Sequence, residues 1–413
     1  MLKRAIFAVF LGAFLALGAA GARAADPGTS GGADEVAQVA VAPPPALPPA
    51  APSPPSLLPA MGPTLVANPN PESFDLGPLG KVYATGVVSG LLLEQSNPVF
   101  GNHDFYADIS NGQVFLQNAS GPVQFFLQAG IYSLPVVGVP YTRATDLNSL
   151  LFGPLPQAFI KFAPTQNFSL EAGRLPTLLG NEATFTFENY NIERGLLWNQ
   201  ENVVNEGVQA NYTAGPVALS LSWNDGFFSG NFDWLTGLAT YTVNSSNSFT
   251  FAGGGAFGTS RLNTFATPIA QDNSQIYDLI YNGSFGPWSF GPYFQYTRVP
   301  KNSVLGFSEG ASTAGIALLG AYSFNENWKL GARAEYVTSS GSVAGGAPNL
   351  LGYGPGSNAW SFTVTPTYQY KLFFTRAEFS YVGVGGTTEG LAFGSSGTAK
   401  SQVRVLFETG VVF

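Results

Sequence analysis

The sequence predicts an all-β chain: a transmembrane, antiparallel, up-and-down β-barrel of about 16 strands, an even number, behind a disordered Pro/Ala-rich segment. Three observations predict it. First, the stretch SQVRVLFETGVVF at 401–413 alternates: Val403, Val405, Phe407, Val411 and Phe413 fall on one side, Gln402, Arg404 and Glu408 on the other. Such a strand needs an apolar medium on one face and water on the other. Second, charged residues make up 10% of the chain, whereas a soluble domain carries about a quarter. Third, no apolar run in the body of the chain reaches the ~20 residues of a helical span, while alternating segments recur throughout. Taken alone, the last stretch also reads as an edge strand of a soluble sandwich.

Residues 1–24 read as a secretory signal. Lys3 and Arg4 start it, an apolar run from Ala5 to Gly21 follows, and Ala22-Arg23-Ala24 fits the small-x-small cleavage rule. A membrane anchor is the alternative, although the run is short for a span. Cleavage leaves 14 basic against 25 acidic residues, a balance of −11. There is no cysteine, so an exported chain of this kind has no disulfide framework. Residues 25–79, which include APPPALPPAAPSPPSLLPAMGP, are proline-rich and nearly uncharged. They read as an extended periplasmic tether, either a plain spacer or a contact for cell-wall material or a periplasmic protein, with composition favouring the spacer.

The barrel is expected over 80–413. Its strands fall at 80–94, 105–118, 122–133, 155–163, 167–175, 204–213, 216–226, 234–243, 248–259, 274–284, 287–299, 311–324, 327–339, 358–370, 372–384 and 399–413. Alternation is plain at 216–226, where Val217, Leu219, Leu221 and Trp223 oppose Ala218, Ser220, Ser222 and Asn224. It is plain again at 327–339 and 358–370, weaker at 80–94 and 234–243, and interrupted by Pro366, which removes a ladder donor. Gly-Pro opens three short turns, at 121–122, 215–216 and 286–287. Long connections at 134–154, 175–203, 260–273, 340–357 and 385–398 lie at the other end, which in a barrel is the outer face. Tyr212, Phe324, Trp328, Tyr370 and Phe413 mark one aromatic rim, and Trp223, Tyr336, Trp360 and Tyr381 the other.

The signal, the alternating strands and the terminal VLFETGVVF resemble a Gram-negative outer-membrane porin. LEAGRLPTLLGNEATFTFENYNIERGLLW at 170–198, followed by NEGVQANYTAGPVALSLSWNDG, is similar to the OmpL-like family of β-barrel porins. The matching residues are Gly173-Arg174, Thr177, Gly180, Glu182, Asn191, Arg194 and Gly207-Val208, with the Asn191–Arg194 spacing one residue shorter than the family pattern. The match is close over 165–226 and architectural elsewhere. It implies a multi-pass channel in the outer membrane for passive diffusion of small hydrophilic solutes and ions. It also implies contact with outer-membrane lipid, insertion by the barrel-assembly machinery, and a longest loop, 175–203, that folds inward. A homotrimer and a cell-wall contact through the tether stay open.

That loop carries Glu182, Glu188, Asn191, Glu193, Arg194 and Glu201. Parity places Lys161, Glu171, Asp278, Arg333, Glu335, Arg376, Glu378, Arg404 and Glu408 on the lumen wall. The three arginines sit on the thirteenth, fifteenth and sixteenth expected strands and share one stretch of wall. Two arrangements follow. Either an acidic loop faces an arginine wall across water and sets a transverse field, or the arginines pair with Glu335, Glu378 and Glu408 along their own wall. Arg174 has the wrong parity for the lumen unless Gly173 makes a bulge; otherwise it braces the loop base. The acidic excess points to a weak cation preference.

No basic patch points to nucleic acid. The lone histidine, His103 beside Asp104, has no nucleophile pattern around it, so no catalytic residue, metal ligand or cofactor is assigned. A substrate-specific channel for sugar, phosphate or amino acid is the alternative reading. In it, Phe126, Phe159 and Phe374 form a greasy slide rather than packing against the inner loop. A cell-wall-attached structural barrel is the other. Residues 25–72 are too short and too proline-rich for a lumen-filling plug domain, which argues against an energised transporter. Gly253 and Gly255 read as a subunit contact or as bends.

Overall fold

A computed structural model describes residues 57–413; the expected signal and the tether up to residue 56 lie outside the described residues. Eighteen strands form one antiparallel sheet: β1 (Glu72–Asp75), β2 (Lys81–Gln95), β3 (Phe105–Asn118), β4 (Val123–Tyr132), β5 (Gln157–Phe162), β6 (Phe168–Pro176), β7 (Val204–Ala214), β8 (Val217–Asn224), β9 (Trp234–Asn244), β10 (Asn247–Ala256), β11 (Gln275–Phe285), β12 (Trp288–Phe290), β13 (Tyr293–Val299), β14 (Ala311–Ser323), β15 (Trp328–Ser339), β16 (Asn358–Tyr370), β17 (Phe373–Gly385) and β18 (Ser401–Val412). β12 and β13 both pair with β11 and β14, so they are two halves of one stave, and β1 only extends an edge beside the start of β2. Sixteen staves therefore close the ring, the last on the first through β18 and β2, from Arg404↔Gln95 to Val412↔Val87. The ring leaves no open edge in lipid, the condition a sheet must meet to cross a membrane.

The break between β12 and β13 falls at Gly291-Pro292. The Gly291 carbonyl accepts from Asn181 Nδ2 of the longest loop at 2.9 Å, and a Cβ on Gly291 would lie 2.6 Å from that same nitrogen. Pro366 produces a similar local gap. β16 keeps its pairing with β15 at Leu330↔Pro366, but pairing with β17 skips from Val364↔Phe379 to Thr367↔Arg376. The ladder donor that proline lacks is therefore missing on the β17 side alone. All three Gly-Pro turns hold their glycine at positive φ, +81° at Gly121, +57° at Gly215 and +58° at Gly286, a conformation that favours glycine.

Side chains alternate as the sequence requires. Leu219, Leu221 and Trp223 of β8 are exposed on the outer surface, while Ser222 and Asn224 are buried inside. The two strands with weak alternation have a common cause. In β2 the lumen face itself is apolar: Leu91 and Leu93 cluster with Ile192 of the longest loop, Tyr106, Tyr141 and Leu406. In β9 Trp234 points inward against Leu179 and Phe227. The hydrophobic core thus lies within the ring, between wall and infolded loops.

The stretch just ahead of β1 enters the lumen. Residues 57–79 had been expected to belong to the free tether, yet Thr64 and Leu65 are buried, at 0% and 3% exposure. The reason is chemical. Met61 and Leu65 interrupt the Ala/Pro composition with side chains large enough to be worth burying, and both join a cluster that holds Phe115, Phe187 and Phe374.

Candidate pore constriction

The connection between β6 and β7 folds into the barrel, and from Thr184 to Trp198 nearly every residue is buried. It holds only two short 3-10 turns, Thr186–Glu188 and Trp198–Gln200, so most of its peptide groups need partners from elsewhere. The wall supplies them. Arg376 donates to the carbonyls of Thr186 (2.8 Å), Asn189 (3.2 Å) and Tyr190 (3.1 Å), and its Nη1 lies 3.5 Å from Glu408. Arg333 meets Glu182 at 2.6 Å, the carbonyl of Glu193 at 2.6 Å and Glu335 at 3.1 Å. Arg404 meets Glu193 at 2.7 Å, Gln95 Oε1 at 3.0 Å and the carbonyl of Val136 at 2.7 Å.

Wall carboxylates take the complementary part. Glu378 accepts from the amides of Ile192 and Glu193 and from the Thr365 hydroxyl. Glu335 accepts from the Leu197 amide (3.3 Å) and from Ser361 (2.6 Å), and Glu408 from Thr186 (2.6 Å) and Ser89 (3.2 Å). Asn191 donates to Thr365 at 2.6 Å.

Two arrangements were open, and the structure combines them in an enclosed form. Loop and wall charges touch, and Arg333 and Arg376 also pair along their own wall, with Glu335 and Glu408. The charges meet directly and are enclosed: Arg333, Arg376 and Arg404 are 1%, 0% and 2% exposed, and Glu182, Glu193, Glu378 and Glu408 are buried with them. These groups act as fasteners of the loop. Arg194 is buried too, its guanidinium 5.6 Å from the Trp198 ring, while its backbone bridges to the connection between β4 and β5 (Arg194 N to Pro135 O, 3.0 Å). Burial pushes its pKa down to about 10.

Glu188 caps the Phe185 amide at 2.9 Å, and burial raises its carboxyl to about 7. Burial also raises Glu182, a shift that Arg333 opposes. Glu201 reaches Gln295 (2.8 Å) and Tyr293 (3.3 Å); burial first, then the neighbouring Asp278, holds its carboxyl well above the usual range. Asp278 itself accepts from the Gly180 amide at 3.0 Å.

The remaining predicted residues lie apart from this cluster. Lys161 and Glu171 pair at 3.1 Å, with Lys161 one-third exposed, beside a cavity of about 710 Å³ at the short-turn end that Gln124, Ser169 and Asn211 also line. Arg174 points outward. Register runs unbroken through Phe159↔Gly173, and Arg174 braces the outer rim through Glu206 (3.0 Å) and the carbonyls of Phe152 and Leu155. Phe126, Phe159 and Phe374 are packed with Phe115 and Phe187, so they form part of the core under the loop and no slide. Phe413 closes the seam by exchanging hydrogen bonds with Gly86, at 2.8 and 2.9 Å. His103 stands 5.7 Å from the Tyr106 ring in the first outer loop.

Two features were not read from the sequence. One is the segment Leu57–Val66. Leu58 exchanges both its amide (2.9 Å) and its carbonyl (2.6 Å) with the Gln117 side chain of β3; Val66 does the same with Gln369 of β16, at 2.7 and 2.8 Å. Between them the Gly62 amide donates to Phe187 O (3.1 Å), and Thr64 lies between Asn189 O (3.2 Å) and Arg376 (3.4 Å). The run of larger apolar residues after position 56 was the available signal. The second feature is a cavity of about 430 Å³ among the outer loops, lined by Leu134, Phe152, Trp198, Phe227 and Leu350 together with Asn199. Its residues come from five separate connections, a grouping that periodicity cannot show.

Residues 81–413 match the family described as Putative beta-barrel porin-2, OmpL-like. Among solved structures, the outer membrane channel DcaP of Acinetobacter baumannii is similar at TM-score 0.54 and 13% identity, over 80% of this chain and 97% of that one. OmpT, an outer-membrane protein of Vibrio cholerae, is similar at TM-score 0.53 and 12% identity, over 83% and 100%. At such identities the likeness shows the fold alone. No curated protein matches the sequence.

Proposed function

This chain belongs to the OmpL-like β-barrel porin family of the outer membrane, and on that footing we propose that it conducts small hydrophilic solutes and ions passively, with a weak cation preference. The observation that carries the reading is the inward loop fastened to the wall of a sixteen-stave lumen, because a ring of this size encloses a water path that strand side chains alone do not fill. The sign of selectivity is supported by the acidic excess of the sequence, 25 acidic against 17 basic residues. Burial and mutual compensation keep the preference weak.

In this reading the tether lies in the periplasm, lipid covers the exposed apolar face, and the barrel-assembly machinery inserts the chain. A homotrimer would use the lipid-facing hollow lined by Gly237 and Gly253, and a cell-wall contact would use the tether. The apolar outer cavity favours a second reading, a channel that selects solutes with an apolar body. Planar-bilayer conductance of the refolded mature chain in potassium chloride, with reversal potential under a salt gradient, tests both. Stable steps with a small cation-signed reversal potential are expected. Steps blocked by one solute class point to the selective channel, and a folded barrel without conductance overturns both.

A further inference from the structure

The segment Leu57–Val66 is held in the manner of a bound peptide. Each end is gripped by one glutamine side chain whose amide reads both the N–H and the C=O of a single residue, Leu58 by Gln117 and Val66 by Gln369. This is backbone recognition of the kind a neighbouring strand supplies, and it is indifferent to the side chains of the residues gripped. The two grips lie on β3 and β16, so the segment runs as a chord past β17, β18 and β2, beneath the inward loop. A Gly62-to-Leu65 turn shapes its middle, Leu65 fills an apolar recess, and Gly62 lies so close that a Cβ would sit 2.6 Å from the backbone of Glu188 and Asn189. No ion pair holds it, and the first ladder that anchors the chain, β1 on β2, begins only at Glu72.

We propose that the inner mouth of the barrel is a binding site for a short apolar peptide turned at Gly-Pro, that Leu57–Val66 occupies it in cis, and that its release widens the conducting path. The part of the proposal that concerns conduction rests on the channel reading above; the binding site does not.

Conductance and binding, measured on the full mature chain, test it. Gly62→Val drives a side chain into the loop backbone and vacates the site while leaving both glutamines in place. Its single-channel conductance is expected to exceed that of the parent severalfold. A fluorescein-labelled peptide of sequence LLPAMGPTLV is expected to bind this variant saturably by anisotropy and, added on the short-turn side, to bring conductance back down. Adding Gln117→Ala and Gln369→Ala removes four hydrogen bonds and is expected to weaken that binding about tenfold or more. Retention of heat-modifiable migration shows that each barrel is closed. Equal conductance of parent and Gly62→Val overturns the stopper while the channel reading stands. Peptide binding without conductance in any variant overturns the channel reading and retains the site. No peptide binding to Gly62→Val, or binding unaffected by loss of the glutamines, overturns the site itself.

Discussion

Arg333 satisfies two carboxylates and a loop carbonyl at once, so its loss would strand Glu182 and Glu335 in a dry environment. Arg333→Ala is expected to cost about 3–5 kcal/mol, read as a lower melting temperature and noisier conductance, because removing one partner of a buried pair leaves an uncompensated charge. Arg333→Met combined with Glu182→Gln and Glu335→Gln should recover much of that loss. If single and triple variants melt alike, the buried-charge explanation is wrong. Glu188 gives a pH dependence. Burial pushes its carboxyl up to about 7, a shift that the Phe185 amide and then Arg194 oppose. A raised carboxyl contributes stability at pH below the unfolded value and loses it as pH rises through about 7. The loop should therefore loosen between mildly acidic and neutral pH, and Glu188→Gln should flatten that slope in melting curves. At this scale the sequence was half legible. Period-two alternation assigned Arg333, Arg376 and Arg404 to the lumen face, since strand geometry allows no other parity. Two of their wall partners were legible as well, Glu335 for Arg333 and Glu408 for Arg376. Their loop partners were hidden, because Arg333 and Glu182 stand 151 residues apart and nothing local links them.

At the scale of elements, strand positions were readable to within one to three residues wherever one face met lipid and the other met polar groups. Alternation, though not position, blurred in β2 and β9 for a physical reason: infolded loops present an apolar surface to those strands from within, so both faces become apolar. How the longest loop sits was not legible, because it is set by backbone carbonyls and by glycines that permit close approach. Gly331 of β15 is one of them, with a Cβ there 2.1 Å from the Tyr190 carbonyl. Gly331→Val should push the loop off the wall, raising conductance while leaving the barrel's melting largely intact. Unchanged conductance would show that the loop contact at this point does not limit the path. Pro366→Thr restores the missing donor between β16 and β17 and should stabilise the ladder by up to about 1 kcal/mol, measurable as a higher unfolding midpoint in urea.

The molecule as a whole is a ring whose first and last staves meet, and the seam is finished by Phe413 lying against Gly86, where a Cβ would come within 2.3 Å of the phenylalanine ring. Gly86→Leu should therefore slow refolding and reduce the heat-modifiable fraction more than an equal substitution at Gly237, whose nearest neighbour would be 3.7 Å away. Equal yields for the two would remove any special place for the seam. The infolded segment Leu57–Val66 also bears on how this family can diverge. Since Gln117 and Gln369 grip peptide groups, the residues they grip are free to change, and the constraint passes to the walls. Across relatives that keep the arrangement, the two glutamines and the glycine at the loop contact should drift slowly. Positions such as Leu58 and Val66 should accept most substitutions except proline, which cannot offer an amide hydrogen.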